Sequence, residues 1–178
     1  CEVVGIDSSI ALVEAETEEV ILTKHIHIDM IGGLAGDMFL ASSLGSGLVE
    51  KSELEKVLSA VGIGQIEITL EEVKRYGIKG WHLAFSGWPP EQERDHRHLS
   101  EIEEMITKSA LEGRVKDRAI EMFRELGKVE SETHDIPLAH VHFHEIGAID
   151  SILDFVGAAY VIESQQGATW SAGHVPTG

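Results

Sequence analysis

Between His140 and Tyr160 the sequence changes its period once, and that change constrains the fold more than any other stretch. From His140 to Glu145 the chain reads as extended: His140, His142 and His144 share one face, and Val141 and Phe143 share the other. Past Gly147, the apolar residues Ile149, Ile152, Leu153, Val156 and Tyr160 recur at helical spacing and form one stripe. The reading is a short strand feeding an amphipathic helix, with Gly157-Ala158-Ala159 small enough to let another element pack closely. The same stretch carries chemistry. Neighbouring imidazoles on an extended face stand about 7 Å apart, too far for three to grip one ion without a bend but near enough for two and a carboxylate. Asp150 and Asp154 lie at i and i+4, on one face of the helix. Imidazoles with carboxylates suit nickel, zinc or iron rather than calcium. A plainer reading stays open, in which Glu145 and Asp150 favour a helix N-terminus and the histidines line a polar loop.

Elsewhere the periods alternate between strand and helix. Residues 1–24 leave a strand pair, an extension or a linker open. At His25-Ile26-His27-Ile28-Asp29 a strand is expected, with Ile26 and Ile28 toward the core and His25, His27 and Asp29 on the opposite face. A glycine-rich turn, residues 32–36, leads into a short helix beginning at Asp37 and ended by Gly45 and Gly47. Leu54, Val57, Leu58 and Val61 mark a second helix that stops at Gly62. Ile66, Ile68 and Leu70, then Trp81, Leu83 and Phe85, alternate as two strands joined near Tyr76-Gly77. Residues 86–95 contain a double proline and no period, and read as an exposed loop. Ser100 with Glu103 reads as a capping box opening a helix with Ile102, Met105 and Ile106 on its buried stripe. A longer helix carries Val115, Ala119, Met122, Phe123 and Leu126, and Pro137 prevents its continuation. A last strand is expected within residues 168–175. The fold class is therefore α/β in the mixed α+β sense, with few strands and several amphipathic helices.

Charge decides which partners to expect. The 178 residues hold 14 basic and 31 acidic side chains, a formal charge of −17, which repels phosphate backbones and excludes nucleic acid as a partner. One cysteine, Cys1, allows neither a disulfide framework nor a thiolate cage within the chain. No apolar run approaches membrane-spanning length and no basic-then-apolar segment opens the sequence, so a soluble, cytoplasmic protein without a membrane partner is expected. A first residue other than Met, and an end at Gly178 without a polar tail, suggest part of a longer chain.

Several residues are candidates for a site. The turn holding Gly32, Gly33 and Gly36 presents backbone N–H groups at a helix N-terminus, where they can hold a phosphate or carboxylate; alternatively the glycines serve only the tight turn. Asp37 already complements the helix dipole there, or it binds a metal that bridges to a phosphate. His96 and His98 flank Arg97 in a polar loop, either as solvated residues or as a pair that captures an ion and passes it on. His25 and His27 read as residues of a solvated strand face. His134 reads as a favourable charge at a helix C-terminus. No Ser-His-Asp or Gly-x-Ser-x-Gly arrangement is present, which argues against an ordinary serine hydrolase.

Three segments together resemble one family: Ile28-Asp29-Met30-Ile31-Gly32-Gly33-Leu34-Ala35-Gly36-Asp37-Met38, His96-Arg97-His98-Leu99-Ser100-Glu101-Ile102, and Val141-His142-Phe143-His144-Glu145-Ile146-Gly147-Ala148-Ile149-Asp150-Ser151-Ile152. The sequence resembles the nickel-insertion proteins of the nickel-pincer cofactor pathway, the LarC family, from about His25 to Gly178. The resemblance implies two parts: an extension of unclear role, residues 1–24, and a family-like N-terminal domain, residues 25–178, lacking the C-terminal part where CTP binds. It implies a cyclometallase of the lyase class that places Ni(II) into pyridinium-3,5-bisthiocarboxylic acid mononucleotide. That reaction makes one carbon–nickel and two sulfur–nickel bonds, consumes CTP with a divalent cation, and serves lactate racemase maturation. His142, His144 and Glu145 are then the expected nickel contacts, Asp150 a support or further ligand, and His96 and His98 the remnant of a nickel-gathering loop. Asp29 and Asp37 would face the nucleotide phosphate or a bridging metal, and Asp37, Glu145 and Asp150 are the residues on which catalysis is expected to rest. Expected partners are the mononucleotide, the C-terminal half of the same protein and pathway proteins, with self-association left open. This part alone is not expected to turn over.

Two departures bear on these expectations. The loop around Arg97 holds only two histidines, His96 and His98, where many relatives carry a long tract, and His174 stands in a segment that is proline-rich in the family. Two rival functions remain from the residues themselves. One is a non-enzymatic nickel-binding or delivery module, and the other a metal-dependent phosphoesterase built on Asp29, Asp37 and the His-Glu block.

Overall fold

A computed structural model describes residues 5–13, 21–30, 33–75, 77–93, 96–143 and 146–174. Strand β1 (Gly5–Val13) pairs antiparallel with β2 (Ile21–Asp29), with Gly5 opposite Asp29 and Val13 opposite Ile21. The open stretch before His25 thus contributes a strand. Helix α1 (Gly36–Gly45) follows the glycine turn and α2 (Lys51–Ser59) carries Leu54 and Leu58 into the core. The alternating segments form the expected hairpin of β3 (Glu67–Arg75) and β4 (Ile78–Ser86), in which Leu70 lies opposite Leu83. Tyr76, expected in its turn, lies outside the described residues.

After the loop, which contains one 3₁₀ turn at Pro90–Gln92, come β5 (Arg97–His98) and α3 (Leu99–Lys108). Helix α4 (Gly113–His134) ends on Asp135, whose φ of +51° turns the chain away before Pro137. A second 3₁₀ turn (Leu138–His140), β6 (His142–Phe143), α5 (Ile149–Ser164) and β7 (Thr169–Ala172) complete the order. β7 joins the first sheet parallel to β2, giving the order β1-β2-β7, while β5 and β6 form a two-stranded ladder of their own. The architecture is mixed α and β, as the periods predict.

Helix α5 is the hub of the core. Its Ile152, Leu153, Val156, Ala159 and Val161 are fully buried, and α1, α2 and α4 all pack on it. Toward α4, Phe155 stacks on Phe123 with ring centroids 4.2 Å apart. Toward α1, Leu40 sits over Gly157: a Cβ there would lie 2.8 Å from Leu40 Cδ1, so the small residue is what permits the close approach. Glycine in a helix interior costs about 1 kcal/mol relative to alanine, a cost that this packing offsets.

Two local expectations are corrected. The capping box is not Ser100–Glu103. The Glu101 carboxylate accepts the His98 backbone N–H at 2.8 Å, while Glu103 pairs with Arg124 at 2.6 Å. The helix starts early because the β5 ladder ends at His98 and the Leu99 N–H is then taken by the Val141 carbonyl at 3.1 Å. Nor is the histidine face continuous. Pro137 begins a 3₁₀ turn closed by the His140 N–H onto the Pro137 carbonyl at 2.8 Å, so His140 leaves the strand direction, and among the described residues β6 holds His142 and Phe143. Val141 and Phe143 do point inward, each 1% exposed.

Candidate functional site

Two short segments far apart in sequence meet in the β5–β6 ladder. Arg97 pairs with Phe143 and His98 with His142, so two imidazoles from separate motifs stand directly across from one another. Directly opposed residues on antiparallel strands hold their Cβ atoms about 5 Å apart. The ring centroids of His98 and His142 are 5.7 Å apart with the planes at 66°, and both side chains are exposed. Imidazole–metal bonds of about 2.1 Å put the centroids of two ligands on one ion about 5 Å apart. The observed separation is within about 1 Å of that value. The His142 Nδ1 lies 3.3 Å from the His140 carbonyl.

Arg97 fixes this ladder from beneath. It is 4% exposed, and its guanidinium donates to the Gly147 carbonyl and, at 2.5 Å, to the Gln92 carbonyl. The buried cation thus ties the proline loop, β5 and the turn before α5 into one unit. In the sequence Arg97 stands only as the residue between two histidines; its burial follows from β-alternation in a ladder whose other face holds the histidines.

A carboxylate cluster forms at the N-termini of α1 and α5. Asp37 and Asp150 each sit in a first helical turn, and Asp154 lies one turn further along α5. Burial first, then the Asp37 and Asp150 carboxylates, push the Asp154 carboxyl from 3.8 up to about 7, against the Asp37 backbone N–H that donates to it. Its Oδ1 is buried without a hydrogen-bond partner among the described residues. The approach depends on Gly36, where a Cβ would stand 2.4 Å from Asp154 Cβ and 2.7 Å from its Oδ2. In the sequence Asp154 figures only as the i+4 companion of Asp150, and nothing local marks its central place. Beside it lies a cavity of about 430 Å³, lined by Leu34, Phe39, Met122, Phe155 and Ala158 among others, with Ser151 and Asp154 its polar side chains.

The other expected residues are placed as follows. Asp29 is exposed at the end of β2, and Gly33 follows in the turn, with its N–H 3.4 Å from the Met30 carbonyl. His96 is exposed immediately before β5. His25 and His27 are engaged by β7 hydroxyls: His25 by Thr169 at 2.7 Å and Ser171 at 2.9 Å, His27 by Ser171 at 2.8 Å. His134 pairs with Glu130 at 3.2 Å on its own helix. Gly32, His144 and Glu145 lie outside the described residues. Among the described residues no three histidine, cysteine, aspartate or glutamate side chains converge on a point that could hold an ion, and no helix is long and apolar enough to cross a membrane.

The sequence model of a family described as nickel insertion protein matches residues 26–178. This chain belongs to the nickel insertion protein family. Among relatives of the family, a protein of Myxococcus xanthus named for nickel insertion is 36% identical over 143 residues, covering 80% of this chain and 36% of that protein. One from Geotalea daltonii is 38% identical over 138 residues, 76% of this chain and 34% of its own length. A Desulfitobacterium hafniense relative, named pyridinium-3,5-bisthiocarboxylic acid mononucleotide nickel insertion protein, is 35% identical over 135 residues, 76% of this chain and 33% of its own. The chain therefore spans about a third of the length of the curated relatives it matches. No solved structure matches it significantly.

Proposed function

We propose that this chain is the nickel-handling N-terminal part of an enzyme that inserts Ni(II) into pyridinium-3,5-bisthiocarboxylic acid mononucleotide. The observation that carries the reading is the cross-strand pair His98–His142, two imidazoles 5.7 Å apart and exposed, in a chain of the nickel insertion family. Nickel is the substrate of this reaction, and it must be held loosely enough to leave. Two imidazoles on a surface ladder, joined by His144 or Glu145 from the same sequence motif as His142, suit that better than a closed thiolate cage. His96 on the same loop serves first capture. Asp37 and Asp150 stand at two helix N-termini beside the cavity, where they orient the mononucleotide or a cation bridging to its phosphate, with Asp29, Gly33 and Gly36 at the turn that receives it.

The reading assigns residues 25–178 to this N-terminal domain and residues 1–24 to an extension. It assigns CTP consumption, with a divalent cation, to the C-terminal part of the longer protein. The setting is the cytoplasm, the reaction class a lyase-type cyclometallation, and the product a cofactor for lactate racemase and related enzymes. The test is a calorimetric Ni(II) titration of the untagged chain and of a His98→Ala/His142→Ala variant. One site per chain is expected, weakened at least tenfold in the variant; equal binding by both would remove the ladder as the nickel site. Exposure of both imidazoles also favours a carrier that donates to a separate catalyst. Single turnover with nickel pre-bound to the complete protein separates the two, because only an enzyme converts the nucleotide in cis.

A further inference from the structure

The cavity beside Asp154 combines features that select one kind of cation. Its walls are apolar except for Ser151 and Asp154, and Phe39, Phe155 and Met122 supply polarizable surface. The Asp154 carboxylate is the one acidic group in the lining, and with Asp37 and Asp150 near it, it is costly to ionise without a countercharge. The countercharge cannot be an ammonium or guanidinium group at low cost. Those groups bring three and five N–H donors respectively, each needing an acceptor, and the lining offers one carboxylate and one hydroxyl. A quaternary aromatic nitrogen has no N–H to satisfy. Its charge is spread over a flat apolar ring, which gains from the carboxylate's field and from contact with aromatic side chains. The volume of about 430 Å³ lies within the range of small-ligand pockets.

We infer that this cavity seats the pyridinium ring of the mononucleotide, with the Asp154 carboxylate balancing the ring charge and Phe39, Phe155 and Met122 contacting the ring. The inference rests on the function proposed above and names the subsite for one portion of that substrate. Gly36 belongs to the subsite as well, because any side chain there displaces Asp154.

The experiment uses N-methylpyridinium as the cationic probe, toluene as its neutral isostere and benzylammonium as a cation rich in N–H. Binding is followed at pH 8 through NMR shifts of the Leu34, Met122 and Ile146 methyl groups, in the wild-type chain, in Asp154→Asn and in the cavity-filling Ala158→Leu. The expected result is saturable binding of N-methylpyridinium, stronger than that of either comparison probe. Asp154→Asn should weaken it at least tenfold while leaving toluene unchanged, and Ala158→Leu should weaken both. Failure of N-methylpyridinium to shift these methyls, or equal affinity in wild type and Asp154→Asn, overturns the assignment. Ni(II) titration of the same preparations keeps the two ideas apart. Nickel binding retained by Asp154→Asn shows that a lost ring signal comes from the cavity and not from unfolding. Absence of nickel binding in the wild type counts against the insertion reading, whatever the ring does.

Discussion

Asp154 should make this protein less stable as pH rises, and replacing it by asparagine should remove that dependence. In the folded chain its carboxyl titrates near 7, against an ordinary 3.8. The folded state therefore binds the proton more tightly than the unfolded state between those values, and stability falls as pH climbs through the window. Well below pH 3.8 the group is neutral in both states and costs nothing; well above pH 7 the full cost is present. Across that window each pH unit costs about 1.4 kcal/mol, which accumulates to about 4 kcal/mol on the high-pH plateau and about 2 kcal/mol near pH 5.5. Asparagine carries no charge, and its carbonyl oxygen can still accept the Asp37 N–H that the carboxylate accepts. Asp154→Asn should thus be more stable than wild type by about 4 kcal/mol near pH 8.5 and by about half that near pH 5.5. For a chain of this size the difference of about 2 kcal/mol corresponds to a Tm increment larger by roughly 4–8 °C at the higher pH. Urea or thermal denaturation of both proteins at the two pH values, in metal-free buffer, makes the comparison. A stability difference that does not grow with pH, or a variant less stable than wild type at pH 8.5, would refute the account of a desolvated carboxyl crowded by Asp37 and Asp150.

Other predictions concern packing and the ladder. Arg97→Met should destabilise by about 2–4 kcal/mol in urea denaturation, because two carbonyls beneath the ladder lose a charged donor; an unchanged midpoint would show that water replaces the guanidinium. Gly157→Ala should lower stability by about 1 kcal/mol despite alanine's better helix propensity, since overpacking against Leu40 costs about 1–3 kcal/mol. A rise in Tm would mean that Leu40 moves aside freely.

The elements legible in the sequence are those whose signal is local. The β3–β4 hairpin shows itself in the alternation of Ile66, Ile68 and Leu70 against Trp81, Leu83 and Phe85, and α5 in its stripe from Ile149 to Tyr160. Gly157-Ala158-Ala159 also foretells close packing, though not that Leu40 supplies it. What the sequence hides depends on contacts across the chain. A ladder of two residues per strand has no period to detect, so the meeting of His98 with His142 cannot be read from either segment alone. The displaced capping box has the same origin, because the start of α3 is set by the Val141 carbonyl. Asp154 looks like an ordinary surface carboxylate one turn beyond Asp150. Its burial arises from the absence of a side chain at Gly36, more than a hundred positions earlier.

The fastening of the proline loop by Arg97 has a consequence for how such a chain can diversify. The guanidinium grips backbone carbonyls, which every residue possesses, so the identities of the loop residues are largely released from the task of holding the loop in place. Histidines can therefore be gained or lost there without dismantling the ladder beneath. Under the nickel-handling role proposed above, the number of ions gathered near the surface and the geometry in which one is presented become separable quantities, the first set by the loop and the second by a single arginine.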